Sequence, residues 1–204
     1  MTGHRRWFLP ETPDVLGLLR AQVAVTLAGL HAFEAWAAGD PAAAADLREA
    51  EHRGDAAKRE LLTALRVAFV TPLEPEDVFA LSRGIDRLLN HARDLINESE
   101  AMACRPDARI AEMASLLADA VQRIDAGVAS LGVDADAATE AADAAITLER
   151  RLERAYYAGM AELLKIDDRN ERIARRELYR SCSRLGETVV DVAERVVYAV
   201  MKES

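Results

Sequence analysis

The chain is predicted to be all-α, an antiparallel bundle of six long helices, on three observations. Half of its 204 residues are apolar but only 5% are aromatic. Ala, Leu, Arg and Glu dominate, and that composition favours helix over sheet. Apolar residues recur three and four apart, in Val78, Leu81, Ile85, Leu88, Leu89 and Ile96 and again in Leu178, Leu185, Val189, Val192, Val196 and Val200. This is the period of a helix with one buried stripe. Finally, Gly, Pro and Asp breaks divide the chain into six segments with a few residues between them, and short links make neighbouring helices antiparallel.

The first helix runs from about Pro13 to Ala38 and ends at Gly39. Asp40 with Pro41 opens the second, which reaches about Phe69. Thr71 precedes Pro72 and is pushed out of the α region. The chain then restarts near Pro75, with Glu74 as a weak cap and Glu76 and Asp77 complementing the helix dipole. This third helix ends near Met102. Pro106 and Asp107 open the fourth, which stops at Gly132; Asp134 or Asp136 opens the fifth, which reaches about Ile166. Asp167 and Asp168 cap the sixth, which continues to about Met201. No flexible linker divides the chain, so a single domain over 1–204 is expected, built from pseudo-repeats of about 10–103 and 104–204 with three helices each.

Several classes are set aside. A formal charge of −9 argues against nucleic acid as the main partner. Cys104 and Cys182 form no C-x-x-C and fit a reduced, cytoplasmic protein. Met1 to Pro10 begins basic, but no apolar run of about 7–15 residues follows, so no secretory signal is expected. No stretch approaches the roughly 18 uncharged apolar residues of a membrane span; Leu16 to Ala38 comes nearest but carries Arg20, Gln22, His31 and Glu34. No phosphate-cradling glycine loop, nucleophile elbow or H-E-x-x-H is present, so neither nucleotide binding nor hydrolysis is expected. Glu49 and His52 make one E-x-x-H where di-iron bundles use two. Trp7, Phe8 and Leu9 beside His4, Arg5 and Arg6 read as a segment packed on the bundle, with contact to a partner or to anionic headgroups as the alternative. The stripe Arg172, Arg175, Arg176, Arg180 and Arg184 reads as solvated charge, with anion binding or docking to an acidic surface as the alternative.

The candidate site lies in paired acids. Glu51 and Asp55 stand four apart on the second helix, and Glu149 and Glu153 do so on the fifth. The third and sixth helices offer partial counterparts, Asp86 with Asn90 and Ser183 with Glu187. Residues four apart share a helix face, and two carboxylates so placed can grip a hard or borderline cation that a facing helix completes. The spacing alone is weak evidence: 35 acids in 204 residues give roughly six such pairs by chance. Solvation, or pairing with Arg53, Arg87, Arg150 and Arg184, explains them equally well.

Their position adds meaning. The order acid pair, helix, Phe69-x-Thr71-Pro72-x-x-x-x-Asp77-Val78, helix, acid pair resembles the PhoU-like proteins of the DUF47 group, over nearly the whole chain from Phe8 to Lys202 and most specifically between Glu51 and Asp94. The resemblance implies a twofold repeat of three helices and a non-catalytic cytoplasmic protein, peripheral to the inner face of the plasma membrane. It implies a role in regulating or assisting inorganic phosphate uptake through a Pit-type phosphate transporter. A homodimer is a separate expectation, because long amphipathic helices often leave a stripe for a partner. It also implies that E/D-x-x-x-D acids on facing helices bind iron, zinc, nickel, magnesium or similar ions. On that basis Glu51, Asp55, Asp86, Glu149, Glu153 and Glu187 are the candidate metal ligands, while Asn90, Glu153 and Ser183 depart from the family pattern. A metal-dependent bundle enzyme and a metal-free helical adaptor are the alternatives.

Overall fold

A computed structural model describes residues 13–68 and 70–203. Among them are six α-helices and no strand: α1 Val15–Ala37, α2 Ala43–Val67, α3 Pro75–Ala101, α4 Ala108–Ser130, α5 Ala135–Glu162 and α6 Arg169–Glu203. The expected boundaries differ by a few residues. The second helix ends at Val67, and Phe69 lies outside the described residues, as do Met1 to Pro10 and the readings made of them. The fifth ends at Glu162 in a 3₁₀ turn, Leu163–Lys165, which tightens the last turn before the chain reverses.

Acidic caps start most of the helices. Asp14 accepts the N–H of Gly17 at 2.8 Å, Asp107 those of Arg109 and Ile110, Asp134 that of Ala137 and Asp168 that of Glu171. Glu74 makes no such bond at the start of α3, where Pro75 occupies the first turn instead. Gly39 and Gly132 close α1 and α4 at positive φ, +107° and +72°.

The helices form two interlocked triplets. α1, α2 and α3 pack on one another, and α4, α5 and α6 do the same; α1 against α4 and α3 against α6 join the triplets. The centre is therefore a four-helix arrangement of α1, α3, α4 and α6, with α2 and α5 laid on opposite flanks. Cross-helix contacts give the directions. Gln22 meets Ser82 and Gly29 meets Leu89, so α1 and α3 run parallel. Arg20 reaches the carbonyl of Ala129, and Lys202 reaches Asp77, so α4 runs against α1 and α6 against α3.

α1 has the length and apolarity of a membrane span, with a hydropathy of 1.5, where the sequence reading expected none. Its apolar residues Leu19, Val23, Leu30 and Phe33 are fully buried in the bundle. Gln22, equally buried, exchanges hydrogen bonds with Ser82 at 2.7 and 2.9 Å, so its side-chain amide is satisfied inside the protein.

Candidate functional site

Antiparallel packing of α2 on α3 brings the first set of predicted ligands to one seam. The Glu51 side chain is 8% exposed and that of Asp86 12%. Each meets a cation from the opposite helix. Arg93 of α3 donates to Glu51 Oε1, and Lys58 of α2 donates to Asp86 Oδ2 at 2.6 Å. Asp55 is exposed, and its charge acts on Arg93, whose guanidinium is held further in its charged form by the hydrogen bond to Asp94 first and by the charges of Glu51, Asp94 and Asp55 besides. Asn90 turns its amide onto Asp86, donating to the backbone oxygen at 3.0 Å and to Oδ2 at 3.2 Å. His52 is exposed beside Glu51, 3.3 Å from its Oε2.

The acids of this seam therefore lie in one place with cations between them. The expected arginine partners are elsewhere: Arg53 is exposed and Arg87 pairs with Asp191 at 3.5 Å. Lys58 and Arg93 are the residues that the sequence reading missed. A signal for them existed, since Lys58 follows Glu51 by seven and Asp55 by three, on the same helical face.

The second set, on α5 and α6, differs. Glu149 is half-buried, with its Cγ beside Gly186, and Glu153 and Glu187 are exposed. None of the three has an ion-pair partner within 4.0 Å among the described residues. The Glu149 carboxyl titrates above its ordinary value because of burial first, then the charges of Glu153 and Glu187, with Arg150 opposing. Ser183 lies half-buried on α6. Thus the structure brings Glu149, Glu153 and Glu187 within one electrostatic neighbourhood. Among the described residues, however, no group of three or more His, Cys, Asp and Glu is arranged to hold a metal ion.

Two further polar clusters lie outside these seams; the first joins the halves and the second lies within the second half. Asp77, of the Thr-Pro segment, is 1% exposed and lies 2.8 Å from Arg195 and 3.2 Å from Lys202, both on α6; Lys202 also grips Glu74. The pair with Arg195 is one of charge rather than alignment, leaving Asp77 Oδ1 and Arg195 Nε without hydrogen-bond partners among the described residues. Across the molecule, Asp107 accepts from Tyr179 at 2.6 Å and from Arg175. Burial would raise its carboxyl, but the Tyr179 hydroxyl, the Ile110 amide and Arg175 outweigh burial and hold it below the ordinary value. The predicted basic stripe is largely paired: Arg175 also bonds Glu171, Arg176 and Arg180 flank Glu177, and Arg172 donates to the Ile166 carbonyl. His91 hydrogen-bonds Thr188 at 3.1 Å and is held below its usual pKa, chiefly by burial.

The fold is that of known PhoU-like structures. The crystal structure of a PhoU-like protein from Shewanella oneidensis MR-1 superimposes with a TM-score of 0.71 at 16% identity, covering 93% of this chain and 97% of that one. A second protein from that organism, assigned as a PhoU-like phosphate regulatory protein, gives 0.68 at 15% identity over 93% and 96%. No family model and no curated protein matches.

Proposed function

We propose that this chain is a non-catalytic regulator or accessory of inorganic phosphate transport. The observation that carries this is the fold: 93% of the chain superimposes on PhoU-like structures, one of them of a protein assigned to phosphate regulation. The Thr-Pro segment supports it from the sequence side, since Asp77 ties the start of α3 to the end of α6. In this reading the protein is cytoplasmic, docks on the inner face of a Pit-type phosphate transporter and biases the conformations that the transporter samples. Metal binding is assigned to the second repeat, where Glu149, Glu153 and Glu187 carry no cationic partner within ion-pair distance among the described residues; they would have to draw together on loading.

The test is recovery of partners from detergent-solubilised membranes of the native host, using the tagged protein as bait, together with phosphate uptake by strains with and without it. The expected outcome is specific recovery of a phosphate transporter and a changed uptake rate. Unchanged uptake with nothing membrane-bound recovered would sink the proposal.

A further inference from the structure

We propose that the acids of the first repeat are compensated from within: Lys58 and Arg93 occupy the seam where the resemblance implies a metal, so this half of the molecule folds without metal and binds none. The two cations cross the seam in opposite directions. Lys58 projects from α2 to Asp86 on α3, and Arg93 from α3 to Glu51 on α2. Both pairs are shielded, with Lys58 27% exposed against Asp86 at 12% and Arg93 32% against Glu51 at 8%. A divalent ion entering here would displace an ammonium and a guanidinium and leave them half-buried beside a like charge, an arrangement that costs more than the pairs it breaks. Glu51, Asp55, Asp86 and Asp94 supply four negative charges and Lys58 and Arg93 return two positive ones, so half of the acid charge that would draw a cation is already compensated from within the fold. Asn90 adds to this, because it presents donors to Asp86, not an oxygen to a metal.

The other repeat acts as an internal control. Counting three residues on from the second acid, Asp55 leads to Lys58, but Glu153 leads to Tyr156. Counting seven on from the first polar position of the facing helix, Asp86 leads to Arg93, but Ser183 leads to Val190. Both cations are thus particular to the first repeat. The second keeps Glu149, Glu153 and Glu187 without an ion-pair partner within 4.0 Å among the described residues.

The test uses the full chain in a Glu149→Gln/Glu153→Gln background, so that bound metal reports on the first repeat alone. After dialysis against chelator, Zn²⁺ is titrated by calorimetry and bound metal is counted by elemental analysis. The background protein is expected to bind no stoichiometric Zn²⁺, and adding Asp86→Asn is expected to change nothing. One equivalent bound by the background and lost on Asp86→Asn overturns the proposal. Removing the internal cations with Lys58→Gln/Arg93→Gln should create a site, with Zn²⁺ held at least about tenfold more tightly than before and a melting temperature that rises with Zn²⁺. A folded double variant that gains no Zn²⁺ also overturns it. Should that variant not fold, Lys58→Gln alone, which leaves Arg93 on Glu51, serves the same comparison. None of these outcomes depends on whether the protein regulates phosphate transport.

Discussion

Asp77 shows how much one side chain can do beyond its local role. Its place in the first turn of α3 makes it an acid that complements a helix dipole, worth about 0.3–1 kcal/mol at an exposed site. The structure makes it a buried carboxylate shared by Arg195 and Lys202. Replacing Asp77 with Ala leaves two cations facing a buried gap and should cost about 1–3 kcal/mol. That corresponds to a fall in melting temperature of roughly 2–4 °C per kcal/mol for a chain of this size, measurable by thermal denaturation followed by circular dichroism. A fall no larger than that caused by Glu76→Ala, beside it on the surface, would show that the α6 contacts do not matter. Glu149 is the opposite case. Its folded-state pKa is raised, so the unfolded chain gives up this proton more readily, and the folded state loses stability as pH climbs from about 4.3, the ordinary Glu value, through the raised one. Glu149→Gln should therefore raise the melting temperature at pH 7, and the gain should vanish below about pH 4. A gain that persisted into acid would have to come from packing instead.

Among the elements, the seam where α1, α2 and α3 meet rests on glycine. Leu89 of α3 lodges between α1 and α2, with Cδ2 2.3 Å from where a Cβ on Gly29 would stand and Cδ1 2.7 Å from one on Gly54. Leu89 cannot turn away from one helix without striking the other. Alanine at either glycine gains about 1 kcal/mol of helix propensity but overpacks the seam, which typically costs about 1–3 kcal/mol. Gly29→Ala is expected to be destabilising on balance in urea titrations, and Leu89→Ala in the same chain should remove most of that penalty. Additive effects of the two changes would refute the interlock. The helices themselves were legible because their ends are written in local chemistry: Asp107, Asp134 and Asp168 each read as a cap and each bonds the N–H groups of its own first turn. The ion pairs were not, since a partner across a seam depends on how far each helix is rotated about its axis. That rotation puts Lys58 and Arg93 between the acids and turns Arg53 outward. Likewise, the acid pairs were visible in sequence, but the difference between an internally compensated first repeat and an uncompensated second one appears only when both seams are compared in three dimensions.

At the scale of the whole molecule, the two halves read from the sequence share one interior. α1 and α3 bury part of their apolar surface on α4 and α6, as Leu16 against Gly132 and Gly84 against Val192 show. The polar fastenings cross the same boundary: Arg20 to the Ala129 carbonyl, Asp77 to Arg195 and Lys202, and Ser181 to Glu98 at 2.6 Å. A three-helix half taken alone would expose one side of the central four helices and leave Asp77, 1% exposed in the whole protein, without its cations. Small domains bury too little surface to tolerate such losses. The full chain should therefore unfold in a single transition, with helix content and near-ultraviolet signals superimposing across a urea titration. The pieces 1–103 and 104–204, expressed separately, should show no cooperative transition, and mixing them should restore helicity in a concentration-dependent way. A sigmoidal unfolding curve for either piece alone would mean that the repeats are independent folding units whose docking is secondary. The ties of Asp77 to α6 would then be a hinge between two bodies instead of part of one core.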